Sequence, residues 1–404
     1  MSTPENASRI AILGAGPTGI EAALAAAEAG RPFVVFEAAP GAAGHLRRWG
    51  HVRLFTPWDL SVSPRVRRRL ATAGVAVPAG DGCPTGHELA DVLDRVAALP
   101  EIAPHLRFGR RVVAVGREGL LKHEEIASAE RGRRPFRLLV ADAAGDESIE
   151  HAGVVIDATG TYGQPNRLGD GGIPAVGERA LDAEIRRDIP DLAAEAGEWA
   201  GRTILLAGAG FSAQTAARDL AALAEKEPGT RVIWALRGEA PEPSPADDPL
   251  PERARLAAVA TALAAGASPA VEVRCGVVVE SIGRMGGRLR VVLRHGEDSD
   301  AVDVDRILAL TGFVGDASLY RQLQVHECYA TCGPMKLSAA LLGAGGGDCM
   351  AQTSHGVDTL TNPEPGLYIL GSKSYGRNNT FLLRVGWEQV GEVFGQLSAK
   401  ASIS

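Results

Sequence analysis

The chain has 404 residues, 42 of them basic and 49 acidic, with a formal net charge of -7 and a hydrophobic fraction of 45%. This balance excludes the basic footprint of a nucleic-acid or anionic-membrane binder, and the composition excludes a disordered polymer. At roughly 150 residues per domain the length allows two or three domains. Five cysteines, an opening "MSTPENASRI" and no apolar run of the ~18–20 residues that span a bilayer predict reduced thiols in a cytoplasmic protein.

The first elements form a βαβ unit: a strand in "RIAILG" (9–14), a helix from Pro17 to Ala29, and a strand in "PFVVFE" (32–37). Ile20, Ala23, Leu24 and Ala27 share one helix face, which predicts packing on a sheet. Helices near 65–73 and 87–98 and strands near 112–115, 136–141 and 152–157 follow, ending in the turn "DATGTYGQPN". Gly, Pro and charge concentrate over 165–200, which reads as a crossing between domains. A second βαβ unit opens at "RTILLAGAGFSA", with its next strand in "RVIWALR" (231–237). The segment 238–253, "GEAPEPSPADDPLPER", is too rich in proline for helix or strand and reads as a surface loop. A helix over 254–266 and short strands as far as "RILALTGF" (306–313) come next. The chain closes with a strand, a polar glycine loop and a helix in "GLYILGSKSYGRNNTFLLRVGWEQVGEVFGQL". Phe381, Val385 and Val390 share a buried face there, and Asn379 or Thr380 is the expected N-cap.

The two βαβ openings carry the chemistry. Gly14, Gly16 and Gly19 complete G-x-G-x-x-G, with Pro17 and Thr18 opening the helix. The first glycine allows the bend, the second lets a pyrophosphate approach the backbone, and the third lets helix and strand pack closely. A pyrophosphate there meets free N–H groups and the positive end of the helix dipole. Glu37, at the end of the next strand, suits ribose hydroxyls. In the second turn Gly208 and Gly210 remain, Ser212 follows, and Ala213 stands in place of the third glycine. Its next strand ends in Arg237 rather than an acid, which suits the 2'-phosphate of NADPH.

With "DATGTYGQP" (157–165) and "ALTGF" (309–313), these turns resemble the two-dinucleotide-domain flavoproteins. "GAGFSA" and Arg237 are most similar to the flavin-containing monooxygenase and Baeyer–Villiger branch. "KSYGR" (373–377) is similar to a segment of uncharacterised bacterial FAD/NAD(P)-binding oxidoreductases. The resemblance implies an α/β fold of two Rossmann-like domains. The FAD-binding domain would comprise 1–163 and 309–404, with an NADPH-binding domain at 164–308 inserted and a hydride path between the two. Gly14, Gly16, Gly19 and Glu37 would hold the ADP half of FAD, and Thr159 and Gly160 would cross near the flavin. Gly208, Gly210, Ser212 and Arg237 would hold NADPH. Gly371 and Ser372 stand where disulfide-reductase relatives carry Gly-Asp against the ribityl chain. The closing helix, with Thr380 near its start and Lys373 or Arg377 beside it, would face the flavin's pyrimidine edge and stabilise the charge of reduced flavin. One departure is that "IPAVGERALDAEI" lacks the Phe and His of the branch's Phe-x-Gly-x-x-x-His motif.

Other residues leave alternatives open. Cys328 and Cys332, with His326, Cys349 and His355, allow a zinc site, a dithiol carried on a helix, or buried or substrate-lining thiols. Trp49, Trp58 and Asp59 in "HLRRWGHVRLFTPWDL" (45–60) are candidates to line the flavin pocket, and His45 and His51 to move protons. The leading expectation is an NADPH-dependent FAD monooxygenase. It would use O2, through a C4a-peroxyflavin, to oxidise a small organic substrate at nitrogen, sulfur or a carbonyl. The alternative is an NADPH-dependent flavin oxidoreductase passing electrons to a disulfide, quinone or protein acceptor, and a third reading is a flavin-binding regulator that senses NADPH. No metal, nucleic acid or membrane partner is expected, and a homodimer is compatible with the architecture.

Overall fold

Ile10–Leu13 (β1) is apolar and buried at every position, as a strand covered on both faces must be. In this computed structural model, which describes residues 9–343 and 353–401, it sits at the centre of a parallel sheet. Helix α1 (Pro17–Glu28) leads to β2 (Phe33–Glu37), which pairs Ile10↔Phe33 through Leu13↔Phe36. Two further helices, α2 (Pro64–Thr72) and α3 (Gly86–Ala97), precede β3 (Leu106–Phe108). The strands β4 (Arg110–Arg117), β5 (Phe136–Asp142) and β6 (Glu147–Ala152) form a separate antiparallel sheet before β7 (Val154–Asp157).

The chain then enters its second unit. Its strands are β8 (Ile185–Arg186), β9 (Thr203–Ala207) and, after helix α4 (Phe211–Lys226), β10 (Arg231–Ala235). Helix α5 (Pro251–Ala264) leads to β11 (Val271–Arg274), an antiparallel trio β12 (Val278–Met285), β13 (Arg288–His295) and β14 (Asp298–Val304), and β15 (Arg306–Ala309). The parallel order is β11-β10-β9-β15-β8. Back in the first unit, α6 (Met335–Gly343), β16 (Leu367–Ile369) and α7 (Leu383–Ala401) complete the chain, and the first parallel sheet reads β16-β7-β1-β2-β3.

The two units are Met1–Gln164 with Val314–Ser404, and Pro165–Phe313. The return lies at 313/314 rather than 308/309 because the entering and leaving segments pair. Pro165 bridges Phe313, the Asn166 side chain donates to the Thr311 carbonyl at 3.0 Å, and Thr311 Oγ1 donates to the Asn166 carbonyl at 2.8 Å. The segment 165–200, read as a crossing, belongs wholly to the second unit and supplies β8.

Helix α1 is enclosed on more than the one face its spacing predicts: Gly19 through Ala26 are all buried. The sheet lies on one side, and α7, α2 and α3 pack around the rest, which alanines permit. The proline-rich loop stops short of 253, because Pro251 heads α5 at a position where a missing N–H costs nothing. The closing helix begins at Leu383, not at Asn379 or Thr380. Asn378 Oδ1 takes both the Thr380 N–H (2.9 Å) and its hydroxyl (2.7 Å), closing a turn ahead of the helix.

Candidate dinucleotide-binding sites

The three glycines of the first turn have three different surroundings. Gly14 has φ +96°, and a Cβ there would lie 2.7 Å from the Ala158 carbonyl oxygen. A Cβ on Gly19 would lie 1.9 Å from the Gly14 carbonyl oxygen, so helix and strand meet at backbone contact. Gly16, the N-cap of α1, faces open space, with nothing within 4 Å of such a Cβ and no side chain capping the helix. Bend, close packing and an open approach to helix N–H groups are what a pyrophosphate needs, and the residues fit one. Glu37 ends β2 beside this turn, where its carboxylate accepts the Ala15 N–H at 2.7 Å and the Ala39 N–H at 2.8 Å. Pro17 starts the helix, and Thr18 wedges against the ends of β16 and α7. Its Oγ1 lies 2.8 Å from where a Cβ on either Gly371 or Gly386 would stand.

At the C-terminal ends of β7 and β16, adjacent parallel strands, Asp157 and Lys373 meet. Lys373 Nζ lies 2.5 Å from Asp157 Oδ2 and 3.2 Å from Thr159 Oγ1, with the lysine and aspartate side chains each 1% exposed. The other Asp157 oxygen takes the Thr159 N–H at 3.1 Å and its hydroxyl at 2.7 Å. This triangle anchors the Ala158–Thr159 crossing against Gly14, where the Thr159 Cα lies 3.2 Å from the position of a Gly14 Cβ. Gly160 has φ +69°, and a Cβ on it would lie 3.6 Å from Ser372 Oγ. Gln389, buried on α7, ties the loop down by accepting the Gly371 N–H at 2.8 Å and donating to Ser374 Oγ at 3.0 Å. Lys373 is thus a neutralised, buried cation rather than a free one. Arg377 is exposed and donates to Cys332 Sγ at 3.3 Å. Asp157 is the residue that sequence reasoning missed. The acid at the end of "VVID" was the available signal, and its partner lies 216 residues away.

In the second unit Gly208 has φ +132°, with a Cβ position 2.2 Å from the Leu310 carbonyl oxygen and 3.3 Å from the Ala213 methyl. Ala213 is fully buried, so the helix-to-strand gap accommodates one methyl in place of the third glycine. Trp234 of β10 donates its indole N–H to the Gly208 carbonyl at 2.8 Å and fixes the bend. Gly210 is the N-cap of α4, Ser212 is exposed in the first turn, and Arg237 is exposed just past β10. The proline-rich loop is an ordered strap. Glu242 N–H donates to the Ala209 carbonyl at 2.9 Å, Gln214 donates to the Glu242 carbonyl at 2.7 Å, and Asp248 is paired with Arg253 at 2.7 Å. Glu242 Oε2 stands 3.5 Å from the position of a Gly210 Cβ, on the open side of the turn.

The remaining candidates divide. Asp59 is exposed, accepting the Gly80 N–H at 3.1 Å and lying 3.3 Å from Arg67. Trp58 is buried in the core. His45 and Trp49 both contact Tyr162, with ring centroids 5.8 and 6.0 Å away. Trp49 Nε1 and His51 Nε2 are buried polar atoms without a hydrogen-bond partner. A shallow cavity beside the α1 N-terminus is lined by Pro17, Thr18, Glu21, Ser61, Ser63 and Trp387 among others. Burial raises the Glu21 carboxyl above its ordinary range, against the opposing pull of Ser63 and Arg65. Cys328 and Cys332 lie on a turn, not the helix that their spacing suggested. Among the described residues no cluster of three metal-ligating side chains occurs, and Cys349 lies outside them. No helix among the described residues is long and apolar enough to cross a membrane.

Solved structures share this fold. The bacillithiol disulfide reductase of Bacillus cereus superposes with a TM-score of 0.68 at 18% identity, over 97% of this chain and 99% of that one. The ornithine N-hydroxylase of Kutzneria sp. 744, solved with reduced FAD, NADP+ and L-ornithine, gives 0.65 at 16% over 97% and 99%. The thioredoxin reductase of T. acidophilum gives 0.60 at 16% over 98% and 100%. No protein-family model and no curated protein sequence matches the chain.

Proposed function

We propose that the chain is a flavin-dependent oxidoreductase that draws electrons from NADPH and uses O2 to oxidise a small organic substrate at nitrogen, sulfur or a carbonyl. The pair of unlike glycine turns carries this reading. One is followed by Glu37, which suits a ribose diol, and the other by Arg237, which suits a 2'-phosphate. Gly14, Gly16, Pro17, Thr18, Gly19 and Glu37 would hold the ADP half of FAD, with Thr159, Gly160, Gly371, Ser372 and Thr380 along the rest of the cofactor. Gly208, Gly210, Ser212, Ala213 and Arg237 would hold NADPH. FAD, when bound, supplies the two-electron chemistry and the activation of dioxygen. The protein's part is positional. The α1 N-terminus would meet negative charge, and the Asp157–Lys373–Thr159 triangle holds the crossing chain in register.

The two kinds of structural neighbour pull in different directions. N-hydroxylases favour the oxygenase, and disulfide reductases favour a chain that passes electrons to a disulfide. The test is NADPH-driven turnover with isotopically labelled dioxygen and L-ornithine, cadaverine and a thioether as probes. Label in an organic product together with substrate-stimulated NADPH oxidation is expected. Peroxide released in step with NADPH for every probe would overturn the oxygenase in favour of the reductase. Flavin reduction with no turnover of any acceptor would leave the sensor. Replacing Arg237 with Glu is expected to move coenzyme preference from NADPH towards NADH, and unchanged preference refutes the assignment of the second turn.

A further inference from the structure

Cys328 and Cys332 occupy the two ends of one tight turn. Cys332 N–H donates to the Cys328 carbonyl at 2.7 Å, Cys328 N–H donates to the Gly333 carbonyl at 2.8 Å, and Glu327 bridges Pro334. A bond from residue i+4 to residue i keeps the two Cα atoms about 6 Å apart, inside the roughly 4.4–6.8 Å that a disulfide spans. Cys332 has φ +58°, a left-handed conformation that a non-glycine residue holds only under constraint and that concentrates at functional positions. The constraint is visible. A Cβ on Gly376 would lie 1.9 Å from the Thr331 carbonyl oxygen, and one on Gly333 would lie 2.7 Å from the Ser374 carbonyl oxygen, so the turn and the 374–376 loop interlock backbone to backbone.

Both sulfurs sit among donors. Cys328 is buried, and its thiol is held below its ordinary range by the Thr331 and Ala330 N–H groups and by the Thr331 and Ser338 hydroxyls beside it, which are hydrogen-bonded to each other at 2.6 Å. Cys332 Sγ is half-buried and receives the Arg377 guanidinium, whose own backbone N–H is pinned to the Thr331 carbonyl at 2.6 Å. The thiolate is the reactive form of a cysteine, and Arg377 Nε stands within hydrogen-bond reach of the Cys332 sulfur. Exposure separates the roles. Cys332 is reachable from solvent, at the side of a tip whose Tyr329 is 94% exposed, and Cys328 lies beneath it.

We propose that Cys332 and Cys328 form a redox-active dithiol that exchanges with small disulfides, Cys332 attacking and Cys328 resolving. Cys332 gives its proton to solvent, and its sulfur attacks one sulfur of RS–SR. The external S–S bond breaks and the first RS⁻ leaves to take up a proton. Cys328, deprotonated in turn, attacks Cys332 Sγ, forms the 328–332 disulfide and expels the second thiolate. Two electrons pass from the dithiol to the external disulfide, which becomes two thiols. The proposal stands apart from the flavin reading, since no step needs flavin or NADPH.

The test exposes the full chain to oxidised glutathione without NADPH, quenches in acid, alkylates the remaining thiols, and locates each product by peptide mass spectrometry. Wild type is expected to lose two alkylatable thiols and two hydrogens, with the bond mapped to 328–332. C328S is expected to stop as a glutathione adduct on Cys332, and C332S to form neither product. In the C328S background, R377M is expected to slow adduct formation about tenfold, with R377K restoring most of the rate. Wild type stopping at a mixed disulfide, Cys83 or Cys275 reacting as fast as Cys332, or R377M leaving the rate unchanged in a protein of native circular dichroism would each overturn the proposal.

Discussion

Replacing Lys373 with methionine removes one charge and little else. The lysine stem packs against Gly315, where a Cβ would lie 2.6 Å from Lys373 Cγ, and methionine preserves that contact. What remains is an aspartate 1% exposed, still hydrogen-bonded by the Thr159 N–H and hydroxyl but without its cation. Breaking a buried pair by removing one partner costs about 3–5 kcal/mol, and the two surviving bonds place K373M near the lower end, about 3 kcal/mol. Removing both charges leaves no unpaired charge, only the amide donors of the introduced asparagine, so D157N/K373M is expected to recover part of that loss. Urea unfolding followed by circular dichroism, with the slope checked for constancy between variants, reads the difference. K373M within 1 kcal/mol of wild type, or a double variant no more stable than the single, would refute the account of this pair as a buried, mutually neutralised unit.

G16A is expected to fold with stability near wild type, since its methyl meets nothing within 4 Å, and to bind FAD more weakly in a fluorescence titration. G19A, whose Cβ would lie 1.9 Å from a carbonyl oxygen, is expected to lose both stability and FAD; equal FAD affinity in G16A and wild type would remove the first-site assignment. E242Q is expected to tighten NADP+ binding severalfold by calorimetry, because it removes a like charge at the mouth of the second turn, and an unchanged or weaker affinity counts against that placement. Glu21 has a folded pKa raised above the ordinary 4.5, so above that value the folded state holds more protons than the unfolded state. Its contribution to stability therefore falls as pH rises from about 4.5 through the raised value, and E21Q is expected to flatten the stability–pH curve in that window. Glu28, Glu88 and Glu101, held low by their partners, act in the opposite sense, each losing its contribution as pH falls below 4.5.

What the sequence made legible was local. Strand, glycine turn and helix follow one another along the chain, and Gly19 packs against the Gly14 carbonyl of the same turn, although the close neighbours of Gly14 and Gly208 are the distant Ala158 and Leu310 carbonyls. The elements it hid are short, polar or held by distant partners. Leu106–Phe108 and Ile185–Arg186 are too short to show a period, and β6 runs "ESIEHA" with little apolar alternation. The buried cluster in which Glu364 takes Arg117 Nε at 2.6 Å and Arg131 Nη2 at 2.9 Å joins residues 247 and 233 positions apart, beyond any spacing rule. The cysteine turn is different, because its signal was present. "CGP" places Gly333 before Pro334, and a residue before proline is disfavoured in the helical region, so a helix carrying both cysteines would have to stop just after Cys332.

The two glycine turns differ in what stands over them more than in their own backbones. At the first, the acid is Glu37, which accepts the Ala15 N–H of the turn and the Ala39 N–H just past β2, and the helix behind it is enclosed by α7, α2 and α3. A ligand there sits against a wall that cannot yield without exposing a core. At the second, the acid is Glu242, carried on a strap whose Glu242 N–H donates to the Ala209 carbonyl and whose Glu242 carbonyl accepts from the Gln214 side chain. The far end of the strap is held by Asp248 and Arg253, paired at 2.7 Å. If the second turn takes a dinucleotide, the Glu242 carboxylate 3.5 Å from the position of a Gly210 Cβ opposes its pyrophosphate charge.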